Sequence, residues 1–93
     1  MATYIILANF TEKGAANVRE SVTTFRQRLE GAGATVKDLY MTQGIYDLVA
    51  LAEGEELPVM TGLISLAGDA VVRTTTLRAF SPAEMEAVFA RVG

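Results

Sequence analysis

Apolar positions along the chain recur with two periods. Thr3 to Phe10 is a continuous apolar, β-rich run closed by Thr11-Glu12-Lys13-Gly14, which predicts a first strand. Val18, Val22, Phe25 and Leu29 then recur at i, i+4, i+7 and i+11, one face of a helix, with Gly31 and Gly33 as stop signals. Within it, Ser21-Val22-Thr23-Thr24 is poor in helix formers and predicts a break between a first turn and the main helix, with Ser21 as a second cap. Thr35 to Thr42 reads as strand two, Gln43-Gly44 as a turn and Ile45 to Glu53 as strand three. So short a connection makes the two strands an antiparallel hairpin. Gly54-Glu55-Glu56-Leu57-Pro58 opens a second helix, with acidic residues and Pro in its first turn. Its apolar side is Val59, Met60, Leu63, Ile64 and Ala67, and Gly68-Asp69 ends it. Ala70 to Phe80 reads as strand four. Ser81-Pro82-Ala83-Glu84 is a capping box with Pro at the first helical position, ahead of Met85, Val88, Phe89 and Val92 at helical spacing.

The order β-α-β-β-α-β-α places a hairpin between two βα units. That is the split-βαβ, ferredoxin-like arrangement of the α+β class, a four-stranded antiparallel sheet of order 4-1-3-2 with a terminal helix. A short internal repeat agrees, with Tyr4-Ile5-Ile6-Leu7-Ala8 aligning with Tyr46-Asp47-Leu48-Val49-Ala50 as the two central strands. Two helices cover one face of such a sheet, and a face left in water should carry polar residues at every second position. Strand one offers Thr3, Ile5, Leu7 and Asn9 on one side and Tyr4, Ile6, Ala8 and Phe10 on the other. Strand three offers Ile45, Asp47, Val49 and Leu51 against Tyr46, Leu48, Ala50 and Ala52. Both faces are largely apolar, so the open one is expected to be covered by a second copy of the chain, as a homodimer or higher oligomer.

Composition sharpens this. The 93 residues fit one domain, 1–93, and are 51% hydrophobic. A small domain buries only about 60–65% of its unfolded surface, so an apolar patch is expected in water, and such patches mark interaction sites. The net charge of −3 argues against a nucleic-acid partner, which needs a basic stripe. No segment approaches the ~20 apolar residues of a spanning helix, and the N-terminus lacks the basic region of a signal peptide. No membrane partner and a cytoplasmic location are the expectations. Cys and His are absent, which removes disulfides, thiol and Ser–His–Asp catalysis, and thiolate or imidazole metal sites. No cofactor motif appears.

Tyr40-Met41-Thr42-Gln43-Gly44-Ile45-Tyr46-Asp47-Leu48-Val49 resembles the signature of the GYD-domain family, its Gly, Tyr and Asp standing here as Gly44, Tyr46 and Asp47. Arg73-Thr74-Thr75-Thr76-Leu77-Arg78-Ala79-Phe80 resembles the same family, as does an opening strand followed by Thr11, Gly14 and Asn17. The resemblance implies a dimeric α/β barrel, in which two sheets pack face to face, and a poorly defined function. Thr75 departs from it, standing where an acidic residue is expected.

The polar residues that could carry chemistry are few. Asp47 sits in an otherwise apolar strand and must be hydrogen-bonded if buried. Arg73 lies in strand four, two strands or about 10 Å away if both flank strand one. The functional reading is a polar floor in an apolar pocket: Arg73 binds a small anion, while Asp47 or Tyr46 orients the ligand or exchanges a proton. The structural reading is a cluster that fixes the hairpin, or an inter-subunit ion pair. Tyr40 offers a second phenol, Asn9 lines the pocket mouth or caps the following loop, and Gly44 supplies a positive φ in the turn. Glu53, Glu55 and Glu56 read as solvated acids at a helix start, and the Met85–Val92 stripe as core or subunit contact.

These residues point to a homo-oligomeric, non-catalytic small-molecule-binding or regulatory module. The alternatives are a cofactor-independent monooxygenase- or isomerase-like enzyme acting on a small aromatic or carbonyl compound, with Asp47 as base and Tyr46 and Arg73 polarising the substrate, or a purely structural partner-binding subunit.

Overall fold

The computed structural model describes residues 1–93. The elements are β1 (Ala2–Phe10), α1 (Glu12–Ala15), α2 (Val18–Gly31), β2 (Thr35–Met41), β3 (Leu48–Gly54), α3 (Glu56–Asp69), β4 (Val72–Ala79) and α4 (Pro82–Val92). The four strands form one antiparallel sheet of order β2-β3-β1-β4, the expected ferredoxin-like order read from the other edge.

The core lies between α2, α3 and one face of the sheet. Ile6 and Ala8 of β1, Leu48, Ala50 and Ala52 of β3, Phe25 and Leu29 of α2, and Val59 and Leu66 of α3 are its buried centre. Strand parity puts Tyr4, Ile6, Ala8 and Phe10 on this face and Thr3, Ile5, Leu7 and Asn9 on the other. The helices approach closely at Gly62, where a Cβ would come within 3.0 Å of Leu29 Cα.

Several boundaries differ from the sequence expectation. The helical break falls at Ala16–Asn17, where the Asn17 side chain accepts the Glu20 N–H as N-cap. Ser21 is no cap. It is buried inside α2, and its hydroxyl donates to the Gly14 and Asn17 carbonyls, tying α2 to α1. The segment Glu12–Ala15 is helical because Thr11 Oγ1 accepts the Gly14 N–H and caps it. Strand three begins at Leu48 instead of Ile45, so a six-residue loop, 42–47, replaces a tight turn. Within it Thr42 Oγ1 donates to the Tyr46 carbonyl, and Gly44 takes φ 119°, as expected of the turn glycine. Strand four begins at Val72, because Ala70 adopts the left-handed conformation that terminates α3.

α4 carries the full reciprocal capping box, with Ser81 Oγ accepting the Glu84 N–H and the Glu84 carboxylate accepting the Ser81 N–H. The core reading of its apolar stripe does not hold, since no α4 residue is buried. The molecule measures 51 × 29 × 17 Å, with a radius of gyration of 14.5 Å against about 12 Å for a compact chain of this length. Its accessible surface, 6040 Å², exceeds the roughly 5,200 Å² usual for a monomer of 10.0 kDa.

Candidate functional site

The open face is built from register. Tyr40, Val49, Leu7 and Thr75 form one row across β2, β3, β1 and β4, and Asp38, Leu51, Ile5 and Leu77 form the next. Towards the N-terminal end of β1 lies a more polar row of Thr35, Glu53, Thr3 and Ala79. At the other end Asn9 faces Arg73 directly. Asp47, one residue before β3, lies outside the β1–β3 ladder, which ends at Ala8 and Leu48, and bonds to the main chain on either side of Asn9. Ile5, Leu7, Val49 and Leu51 are half-buried and Leu77 is exposed, so an apolar centre lies between two polar rows.

Asp47 is held from three sides. Its N–H donates to the Ala8 carbonyl at 2.9 Å, and its carbonyl accepts the Thr42 N–H at 2.9 Å. Its carboxylate Oδ2 accepts the Phe10 N–H at 3.0 Å. The side chain thus pairs a backbone donor at the end of β1 where β3 has no residue in ladder register. The expected hydrogen-bond partner exists, and it is a main-chain group. Asp47 does not reach Arg73. The chain's ion pairs are Arg26–Glu30, Arg28–Asp69 and Lys37–Glu53, and Arg73 is in none of them. Register brings Asn9 and Arg73 together and hydrogen bonds to Ala8 and Phe10 hold Asp47 near Asn9, while Tyr46 lies half-buried in the 42–47 loop and Tyr40 stands exposed on β2.

Of the candidate residues only Arg73 lines a cavity. It stands at the rim of a cleft of about 520 Å³ between α3 and β4, walled by Leu63, Leu66, Ala67, Val72 and Thr74. A smaller recess of about 250 Å³ along the same groove is lined by Tyr4, Glu56, Met60 and Arg78. Arg78 is stacked there, its guanidinium 4.2 Å from the Phe80 ring centre and 5.6 Å from that of Tyr4. Glu53, Glu55 and Glu56 do not converge into a group that could hold a metal ion.

Other functional-looking contacts were invisible in the pattern of residues. Arg28 donates from Nε and Nη2 to both carboxylate oxygens of Asp69, at 2.7 and 2.9 Å, bracing α2 against the end of α3. The Arg28 hydrogen bond holds the Asp69 carboxyl below its ordinary range, and the same bond raises the guanidinium. The Ser81 backbone N–H likewise lowers Glu84. Thr11 Oγ1 donates to the Ala70 carbonyl at 2.6 Å and the Thr11 N–H to that of Val71 at 3.1 Å, crossing the two loops at this end. Fifty-nine residues separate Thr11 from Ala70, so no local signal exposes the contact.

The fold and sequence have relatives. The crystal structure of TTHA0845 from Thermus thermophilus is 28% identical, with a TM-score of 0.54, over 87% of this chain and 95% of that one. The crystal structure of FFRP-DM1 shares the fold at 23% identity and a TM-score of 0.57, over 86% of this chain and 100% of that one. No curated protein matches the chain significantly. The family description "GYD domain" matches residues 4–89, nearly the whole chain, and the protein therefore belongs to the GYD domain family.

Proposed function

We propose that this GYD domain is a homo-oligomeric, non-catalytic module that binds a small molecule where two copies meet. The observation that carries the reading is the open sheet face, an apolar centre of Ile5, Leu7, Val49, Leu51 and Leu77 framed by polar rows. An apolar centre inside a polar rim is the anatomy of a protein interface. The surface in excess of a typical monomer, on the order of 800 Å², is comparable to one partner's share of a standard interface.

The ligand-binding part rests on Arg73, an exposed cation without an ionic partner, beside Asn9 at the edge of that apolar centre. Such a placement suits a small organic anion, its charge on the guanidinium and its body against the apolar rows. The non-catalytic part draws support from Asp47, whose carboxylate already serves the Phe10 N–H. A second copy and a small anion are thus the partners, and the cytoplasm is the proposed location.

Light scattering at micromolar concentration tests the oligomer. The wild type is expected at a multiple of 10.0 kDa, and Leu51→Lys, which puts a charge in the apolar centre, is expected to reduce that mass at least twofold. A wild-type monomer overturns the reading. For the ligand, benzoate should raise the melting temperature of the wild type and leave that of Arg73→Ala unmoved.

A further inference from the structure

α3 is apolar on two sides. Val59, Gly62 and Leu66 form its buried stripe. Leu57, Met60, Ile64 and Ala67 recur at i, i+3, i+7 and i+10, a second, outer stripe of which Met60 and Ala67 border the recesses beside β4. Leu57, Met60 and Ile64 are 76%, 49% and 68% exposed, and no charge interrupts α3 between Glu56 and Asp69. A surface helix ordinarily turns polar residues outward, and one that is apolar all round is ordinarily covered. The same chain carries a second uncovered stripe of matching spacing. Met85, Val88 and Val92 on α4 repeat at i, i+3 and i+7, with Phe89 beside them, and Phe89 and Val92 are 52% and 82% exposed. Both stripes follow the 3-4 alternation that lets two helices interlock side chains along a seam.

The two stripes do not meet within one protomer, because α4 stands off the body with no buried residue. We propose that α4 of one copy docks antiparallel on the outer stripe of α3 of a second copy, along the groove beside β4. The groove has the dimensions for it. α3 spans about 21 Å and α4 about 16 Å at 1.5 Å per residue. The cleft of about 520 Å³ and the recess of about 250 Å³ leave the floor beside the stripe unfilled.

Charge sets the direction. Glu55 and Glu56 stand at the start of α3, and the Lys13 ammonium donates to the Asp69 carbonyl at its end. α4 is acidic at its start, Glu84 and Glu86, and carries Arg91 in its last turn. Antiparallel docking brings Arg91 to the acidic start of α3, points the acidic start of α4 towards the end that carries Lys13, and opposes the helix dipoles. Parallel docking would set four carboxylates together. This seam lies on the helix layer, opposite the open sheet face, so it is a separate interface and does not depend on the one proposed above.

A chain without cysteine lends itself to a clean test. Singly substituted proteins, one carrying a size tag, are mixed, mildly oxidised and run on a non-reducing gel. Leu57→Cys mixed with Val92→Cys, and Ile64→Cys mixed with Met85→Cys, are expected to give the hetero-crosslinked species. Leu57→Cys mixed with Met85→Cys, the parallel register, is expected to give at least tenfold less. Adding Phe89→Glu to the α4 partner should abolish the crosslink without changing the circular dichroism of the body, because α4 is outside the core. No crosslink in either antiparallel mixture, or an equal yield in the parallel one, overturns the proposal. The two interfaces fail separately. Mass lost by Leu51→Lys but not by Phe89→Glu leaves the sheet-face reading and removes this one, and the reverse result does the opposite.

Discussion

Replacing Asp47 by Ala removes the acceptor of the Phe10 N–H and leaves that half-buried donor unpaired. The expected cost is about 1–3 kcal/mol, read as a shift of the urea midpoint without a change in slope. Arg73→Ala breaks no internal contact and should stay within about 0.5 kcal/mol of the wild type. The two members of the polar row thus separate into one that holds the hairpin and one left free for a ligand. That Asp47 needed a partner was legible, because a lone carboxylate in an apolar strand must be hydrogen-bonded. The identity of the partner was not, since it is a main-chain group 37 residues away. Ser21 misled for a related reason. Its short polar side chain suits a cap, but the same hydroxyl can bond back to a carbonyl of its own helix, and only the position of Gly14 decides between them. Asp69 adds a pH dependence. Arg28 holds its carboxyl below the ordinary 3.8, so the stabilisation is fully present above that pH and is lost as acid protonates the folded form. Arg28→Gln should therefore flatten the fall in stability below pH 4, in acid titrations followed by circular dichroism.

Among the elements, α3 has the sharpest contrast between residues of one type. Gly62 abuts the α2 backbone, so Gly62→Ala must push the two helices apart and is expected to destabilise by about 1–3 kcal/mol. Gly68, near the end of the same helix, has open space where a Cβ would go and no positive φ. Gly68→Ala should stabilise by about 0.4–1 kcal/mol in the same denaturation measurement. Element type and order were legible because the strand and helix periods are clean and the capping box is complete at Ser81 and Glu84. Boundaries were not. Ile45-Tyr46-Asp47 has strand-like residues, yet the 42–47 loop keeps them out of the β2–β3 ladder. Ala70 ends α3 in a conformation that Gly or Asn would be expected to take. α4 shows the limit of periodicity most plainly. A stripe announces an apolar face but not the surface that will cover it.

At the scale of the whole molecule, two apolar surfaces face away from each other, the open sheet face and the outer side of α3. A chain that is 51% hydrophobic in 93 residues keeps only 16 residues buried, so much of its apolar content stands at the surface, where the two proposed contacts would use it.

The central position of β1 has a consequence in time. β1 is the first strand in the chain, and its two neighbours are β3 and β4, with partners such as Leu7 to Val49 and Leu7 to Thr75. During synthesis it emerges with both hydrogen-bonding edges bare and both faces apolar, and nothing can satisfy either edge until most of the chain has followed. Its closure joins residues as far apart as Thr3 and Ala79, 76 positions, which places the chain among slowly folding topologies. The nascent strand is thus expected to stay unpaired until β3 and β4 arrive.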